Sequence, residues 1–99
     1  MTEEKQDLSG IKDMYDLVIL AGVKLQNSKI KSYNVNCPAY FDTINHYVVA
    51  EAGWLEEEHL RNRLERLSTS GYLCHHKQKE DSEESWFITR KGLGVAKYD

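Results

Sequence analysis

A seam of leucines that stops at a glycine constrains this 99-residue chain more than any other feature. Leu60, Leu64 and Leu67 are four and three residues apart, so they share one face of a helix. Gly71 follows, and glycine readily adopts the left-handed backbone conformation that ends helices. From Tyr72 onward, apolar and polar residues alternate as they do in a strand. The sequence therefore predicts a helix, which we call the seam helix, that passes sharply into a β-strand.

A hairpin is predicted directly after the seam helix. Residues 72–79 form its first strand and residues 86–89 its second. Residues 80–85 are polar and lack a turn signal of the Asn-Gly type, which predicts a long and mobile tip. Thr89 is placed to cap a final short turn over residues 90–92.

A first helix is predicted where apolar residues recur at three- and four-residue steps after residue 10. Ser9 is its expected N-cap, and residues 27–28 its expected end. Asp13, Asp16 and Lys24 fall outside the apolar stripe. The face expected to be buried consists of Ile11, Met14, Tyr15, Val18, Ala21 and Leu25. The same long stripe makes the first helix a candidate surface for a homodimer.

A second helix is predicted to begin at Pro38, because proline is tolerated at the first helical position. Gly53 is expected to end it, after which residues 54–55 turn the chain into the seam helix. Its expected buried stripe is Phe41, Ile44, Val48 and Ala52. Residues 29–36 alternate too briefly to distinguish a strand from a loop.

The composition predicts one folded domain with a short tail. About 40 % of the residues are apolar and 10 % aromatic, which is enough for one modest core. Residues 1–8 are polar and acidic, so we expect a flexible tail there and a single domain over residues 9–99. The sequence contains no apolar run of membrane-spanning length and no secretory signal, so we expect a cytoplasmic protein without a membrane partner. The two cysteines are expected to be free thiols.

Two segments resemble a known class of proteins. Residues 60–73, with the leucine seam, a short polar run and Gly71-Tyr72, resemble the recognition-helix stretch of MarR, PadR and GntR-type regulators of bacteria and archaea. Residues 86–92, Trp-Phe-Ile-Thr-Arg-Lys-Gly, resemble the segment that closes the wing in MarR and PadR proteins. The resemblance implies an α+β fold, a winged helix-turn-helix with three helices and a two-stranded β-wing. It also implies a small transcription regulator, of prokaryotes or their viruses, that binds double-stranded DNA.

In helix-turn-helix proteins the outward face of the recognition helix lies in the major groove. An arginine there can read guanine or neutralise a phosphate, and an asparagine can read adenine. The predicted DNA-binding residues of the seam helix are His59, Arg61, Asn62 and Arg66. The predicted phosphate contacts of the hairpin and of the residues after it are Lys77, Lys79, Arg90 and Lys91.

Acidic residues oppose this function. Glu56, Glu57 and Glu58 open the seam helix, where the helix dipole favours negative charge but where DNA would come closest. Four of the six residues at the hairpin tip are also acidic. Two alternatives therefore stay open. The chain could be a protein-interaction or DNA-mimicking module that binds a basic partner, or the polar face of the seam helix could be a solvated surface with ion pairs four residues apart.

Neither a metal site nor an active site is predicted. Cys74, His75 and His76 are adjacent, but the sequence has no Cys-x-x-Cys or His-x-x-x-His spacing. It also has no glycine-rich phosphate loop and no Gly-x-Ser-x-Gly motif. We therefore expect no metal, no cofactor and no enzymatic activity.

Overall fold

The computed structural model describes residues 11–28, 37–77 and 83–96. The strands form one antiparallel sheet in the order β1-β3-β2. In chain order the elements are α1 (Met14–Asn27), β1 (Ala39–Tyr40), α2 (Phe41–Ala52), α3 (Glu57–Thr69), β2 (Leu73–His76), β3 (Ser85–Ile88) and α4 (Arg90–Ala96). The seam helix is α3, and β2 and β3 form the wing. The predicted α+β winged helix-turn-helix is confirmed.

The leucine seam lies at the centre of the core, as predicted. Leu60, Leu64 and Leu67 are completely buried. They pack with buried residues of the two other long helices, of the sheet and of α4: Ile19, Leu20, Val23, Ile44, Val48, Tyr72, Trp86 and Val95. Burial of three leucine side chains contributes about 1.5–3 kcal/mol each, so the inward face of α3 is fixed by the core and its opposite face is left outside.

The connection between α3 and the wing has the predicted glycine. Gly71 has a φ of +92°, and the Tyr72 amide donates a hydrogen bond to the Leu67 carbonyl. Thr89 caps the last helix, as predicted, because its hydroxyl accepts a hydrogen bond from the Gly92 amide. This turn continues into the seven-residue α4. A Cβ atom at Gly92 would lie 2.3 Å from the Tyr72 carbonyl oxygen, so only glycine fits there.

The start of the second helix was predicted wrongly. Residues Ala39 and Tyr40 form a short strand that pairs with Trp86 and Ser85 of β3, and α2 begins only at Phe41. Proline lacks an amide donor but is tolerated at the beginning of an edge strand, so the same residue fits both structures. The wing sheet consequently has three strands instead of the predicted two.

The buried face of α1 was also predicted wrongly. Asp16, Ile19, Leu20, Val23 and Asn27 are buried. Of the predicted stripe, Met14 is 67 % and Leu25 54 % exposed, whereas Ile11, Tyr15 and Val18 are partly buried against the core. The reason is that α1 is apolar on two opposite faces, and periodicity cannot tell which of them meets the core. The N-cap of α1 is Asp13, whose side chain accepts a hydrogen bond from the Asp16 amide. The predicted cap, Ser9, lies outside the described residues.

A buried asparagine joins the end of α1 to the sheet. The Asn27 amide nitrogen donates to the carbonyls of Cys37 and Trp86, and its Oδ1 accepts a hydrogen bond from the Ile88 amide. All three are backbone groups, and buried backbone groups without a partner would cost about 1–3 kcal/mol each. Asn27 therefore fixes the wing to the helical part of the fold.

Several predictions fall wholly or partly on residues that are not described. They are the acidic tail over residues 1–8, the segment over residues 29–36, the phosphate contact Lys79 and residues 80–82 of the hairpin tip. Ser85, predicted as part of the tip, is the first residue of β3. No helix among residues 11–28, 37–77 and 83–96 is long and apolar enough to cross a membrane.

Candidate nucleic-acid interface

The surface of α3 opposite the leucine seam is a ridge with mixed polarity. Glu58, Asn62, Glu65 and Thr69 follow one another at steps of four, three and four residues, and all four side chains are exposed. We call these four residues the outer ridge. Asn62 is the only predicted DNA-binding residue on the outer ridge, and two of its neighbours there are carboxylates.

One flank of α3 turns towards the wing and forms what we call the Glu84 cluster, consisting of Arg61, His75, Lys77 and Glu84. Arg61 Nη1 lies 3.1 Å from each carboxylate oxygen of Glu84, and the guanidinium also lies over the Phe41 ring at 4.7 Å. His75 Nε2 is 3.0 Å from Glu84 Oε1, and Lys77 Nζ is 3.9 Å from Glu84 Oε2. Three basic side chains therefore converge on one carboxylate.

The electrostatics of the Glu84 cluster favour the charged carboxylate. Burial raises the pKa of Glu84, but the charge of Arg61 and the hydrogen bonds from His75 and Arg61 outweigh it, so that its pKa is lowered. The His75 ring stacks on Trp86 with ring centroids 5.1 Å apart, which fixes the imidazole against the sheet. A cavity of about 380 Å³ lies beside the cluster, lined by Arg61, Glu65, Ser68, Thr69, His75, Glu84 and Trp86.

The other flank of α3 turns towards α1 and forms the Asp16 cluster, consisting of Asp13, Asp16, Arg63 and Arg66. Asp16 is completely buried and accepts hydrogen bonds of 2.9 Å from both arginines. Arg63 also binds both carboxylate oxygens of Asp13, at 2.7 and 3.0 Å. The hydrogen bond from Arg63 lowers the pKa of Asp13. These contacts join the N-terminus of α1 to the back of α3.

This geometry changes the expected role of one predicted site residue. Arg66 was predicted to contact DNA, but its guanidinium is bound to the buried Asp16 carboxylate. Withdrawal of Arg66 would leave a buried charge with one partner fewer, which is energetically expensive. We therefore assign Arg66 to the support of α3 and not to base recognition.

Sequence reasoning missed Asp16, Arg63 and Glu84. Asp16 belongs to the same helical face as Ile19, Leu20 and Val23, so a charged residue within an apolar face was a signal for a buried ion pair. No comparable signal identified Glu84, because the pairing depends on how the hairpin packs against α3. A local sequence pattern does not contain that information.

The remaining predicted site residues are distributed over the surface. His59 is exposed, with Nε2 3.9 Å from Glu56 Oε1. Lys91 donates a hydrogen bond of 2.9 Å to the Ser70 carbonyl and lies over the Tyr72 ring, so it stabilises the C-terminal end of α3. Arg90 is exposed at the start of α4. A shallow groove of about 370 Å³ is lined by Lys12, His59, Asn62, Arg63 and Arg66.

Among the described residues, no group of three or more His, Cys, Asp or Glu side chains has a metal-binding arrangement. Cys37 and Cys74 are free thiols, as expected. The perturbed carboxyl groups, Asp13 and Glu84, are both paired with arginines on the surface, which is an electrostatic arrangement and not an acid–base pair.

Comparison with known proteins supports the fold. No protein-family model matches the sequence, and no curated protein matches it. The structure is similar to the crystal structure of a PadR family transcription regulator from Clostridium difficile R20291, with a TM-score of 0.64 and 15 % sequence identity. The similarity covers 85 % of this chain and 80 % of that chain. At this identity the likeness shows a common winged-helix fold, and it confirms the resemblance of the sequence to PadR proteins at the level of the fold.

Proposed function

We propose that the protein is a DNA-binding transcription regulator that inserts α3 into the major groove and places the wing on the DNA backbone. The observation that carries the proposal is the outer ridge of α3, which no other described element covers in a fold similar to that of a PadR family transcription regulator. In helix-turn-helix proteins this surface contacts the bases. We place this activity in the cytoplasm of a prokaryote or of a cell infected by one of its viruses, and we assign no enzymatic activity.

On the outer ridge, Asn62 is the residue that we propose to read adenine, because its amide can donate and accept hydrogen bonds at once. Glu58 and Glu65 can accept a hydrogen bond from the amino group of cytosine. These two carboxylates lie seven residues apart, which corresponds to about 10 Å along a helix and therefore to about three base pairs. We propose that the operator contains cytosines at that separation.

Phosphate contacts are proposed for Lys77, Arg90 and, outside the described residues, Lys79. His59 lies at the N-terminal end of α3, where it can reach the backbone beside the groove. Lys91 already binds the Ser70 carbonyl, so a phosphate contact there would compete with an existing hydrogen bond. Because few basic side chains are available and the outer ridge carries two carboxylates, we expect weak nonspecific binding to DNA with a low salt dependence.

A homodimer through α1 is proposed as part of the same function. Met14 and Leu25 are exposed on the outward face of α1, and the partly buried Val18 and Ala21 lie between them. A helix that is apolar on both sides is normally buried on both. A two-fold axis along this face would give two α3 helices for two operator half-sites. We expect light scattering to give about twice the 11.5 kDa chain mass, and Leu25→Glu to give the monomer. The control Gln26→Glu, one residue along α1, should leave the dimer intact.

Selection of sequences from a randomised duplex library tests base recognition. We expect the wild-type protein to enrich a motif with adenine and cytosine positions. Asn62→Ala should lose the adenine preference, at a cost of about 1–3 kcal/mol on the selected site. Glu51→Ala, an exposed position on α2, is the matched control and should keep the motif. Failure of the folded wild-type protein to enrich any motif would contradict sequence-specific recognition. The comparison gives no support to the alternative of a DNA mimic, because the similar protein is a transcription regulator.

A further inference from the structure

We propose that the Glu84 cluster is a phosphate-binding site whose anion position is filled by the protein's own carboxylate until a phosphate displaces it. The inference rests on the proposed function, because the phosphate it assigns belongs to the DNA backbone. It goes further in naming a single subsite, its three ligands and the residue that competes with DNA for them.

The arrangement of donors is the first observation. Arg61 comes from α3, while His75 belongs to β2 and Lys77 follows it, so two separate elements supply the three basic groups. All three lie within 3.9 Å of the same carboxylate. Arginine and lysine with a histidine around one set of oxygen atoms are the side chains that bind phosphate in proteins. The carboxylate of Glu84 occupies the place where phosphate oxygens would be.

The exposure of the carboxylate is the second observation. The Glu84 side chain is 24 % exposed and that of Arg61 is 52 % exposed, whereas the side chain of Asp16 in the Asp16 cluster is 0 % exposed. Ion pairs that water can reach contribute little to stability, so an external anion can replace Glu84 at small cost. Replacement of Asp16 would require a buried charge to be withdrawn. Of these two clusters, the Glu84 cluster is therefore the one that can exchange its anion.

The cavity beside the cluster is the third observation. Its volume of about 380 Å³ is more than ten times the roughly 30 Å³ that one water molecule occupies in the liquid, so a phosphate group has room there. Ser68 lines the same cavity, and its buried hydroxyl has no hydrogen-bond partner among the described residues. Because water does not reach this hydroxyl, the Ser68 side chain would have to rotate towards the cavity to act as a fourth donor. Glu65 also lines the cavity and opposes an anion, so the site depends on the removal of Glu84 for a net positive charge.

The location of the site gives it a role. It joins the middle of α3 to the strands of the wing, and backbone contacts at such a junction fix the register of a protein on the duplex. Because Glu84 competes for the same donors, it lowers the affinity for every DNA sequence alike. Glu84 therefore sets the concentration at which the protein binds, while the outer ridge selects the sequence.

The test compares Glu84→Gln with Glu83→Gln. The two variants lose the same charge one residue apart, but Glu83 forms no ion pair with a described residue. Fluorescence anisotropy with a mixed-sequence duplex of about 20 base pairs should show about five- to tenfold tighter binding for Glu84→Gln. Glu83→Gln should change affinity by less than about twofold. Adding Arg61→Ala to Glu84→Gln should abolish the gain.

A titration with inorganic phosphate separates this inference from the proposed function. In Glu84→Gln, millimolar phosphate should shift the NMR signals of Arg61 and His75. In the wild-type protein the same shifts should need about ten times more phosphate, and circular dichroism of Glu84→Gln checks that the variant used for the comparison is folded. Phosphate shifts without DNA binding would support the site and contradict DNA as its ligand. If the wild-type protein binds DNA but Glu84→Gln and Glu83→Gln bind it with equal affinity, the phosphate site is overturned and the proposed DNA-binding function stands.

Discussion

The two flanks of α3 use the same chemistry in opposite environments. In the Asp16 cluster, a completely buried carboxylate binds two arginines between α1 and α3. In the Glu84 cluster, a partly exposed carboxylate binds one arginine between α3 and the wing. Burial makes the first pairing part of the fold, because water cannot replace a lost partner. The second pairing is open to solvent and can exchange. The comparison indicates that the back of α3 is fixed while its wing side is adaptable.

Removal of the buried carboxylate should cause the largest loss of stability. Asp16→Ala should lower the free energy of unfolding by about 3–5 kcal/mol, since it leaves two arginines without their shared partner. Urea unfolding followed by circular dichroism measures the loss. Asp13→Asn is the matched control, because its side chain is 46 % exposed and asparagine can keep the helix cap, and it should cost no more than about 1 kcal/mol. Equal losses for the two variants would show that burial does not distinguish the pairs.

The leucine seam gives a reference for these electrostatic effects. Leu64→Ala removes a completely buried side chain at the centre of α3 and should cost about 2–5 kcal/mol. A thermal melt compares it with Leu93→Ala, whose side chain is 42 % exposed on α4 and should cost much less. A melting temperature for Leu64→Ala equal to that of the wild type would contradict the central position of the seam.

Double-mutant cycles measure how strongly the ion pair on each flank of α3 is coupled. The coupling energy of Arg61 with Glu84 should be about 0.2–1 kcal/mol, as for other exposed ion pairs. The coupling energy of Arg66 with Asp16 should be several times larger. Both cycles are measured by urea unfolding at neutral pH and moderate salt. A larger coupling for the Glu84 pair would mean that the wing is locked to α3 and would count against an exchangeable site.

The smallest expected effect is a pH dependence from the exposed carboxylates. The pKa values of Asp13 and Glu84 are lowered in the folded protein, from ordinary values of 3.8 and 4.5. The unfolded chain therefore binds more protons in this range, and stability is present above these values and lost as the pH falls through the lowered ones. Asp13→Asn should lose less stability than the wild type between about pH 5 and pH 2. Parallel acid titrations of the two proteins would contradict a lowered pKa for Asp13.

The elements that could be predicted from the sequence are those fixed by local chemistry. The leucine seam, Gly53 and Gly71 with their positive φ angles, and Thr89 as a cap were all identified, because spacing and backbone conformation determine them. The order of helices and hairpin, and with it the winged-helix fold, follows from these signals.

The elements that could not be predicted depend on packing between distant parts of the chain. The orientation of α1 depends on which of two apolar faces meets the core. Strand β1 forms because Ala39 pairs with Trp86 and Tyr40 with Ser85, which are 47 and 45 positions away along the chain. The cations of α3 illustrate the same limit. The sequence predicts the same role for Arg61 and Arg66. In the structure, Arg61 pairs with the partly exposed Glu84 and Arg66 with the buried Asp16.

A salt titration is the most direct test of whether this acidic winged helix binds DNA. Binding of the wild-type protein to a labelled duplex of mixed sequence is measured by anisotropy from about 50 to 200 mM salt. We predict a dissociation constant of about 10⁻⁶–10⁻⁴ M that weakens linearly on a double-logarithmic plot, with a slope of about −2 to −4 for three or four phosphate contacts. No binding to DNA at the lowest salt, by a protein whose circular dichroism shows an intact fold, would contradict the account.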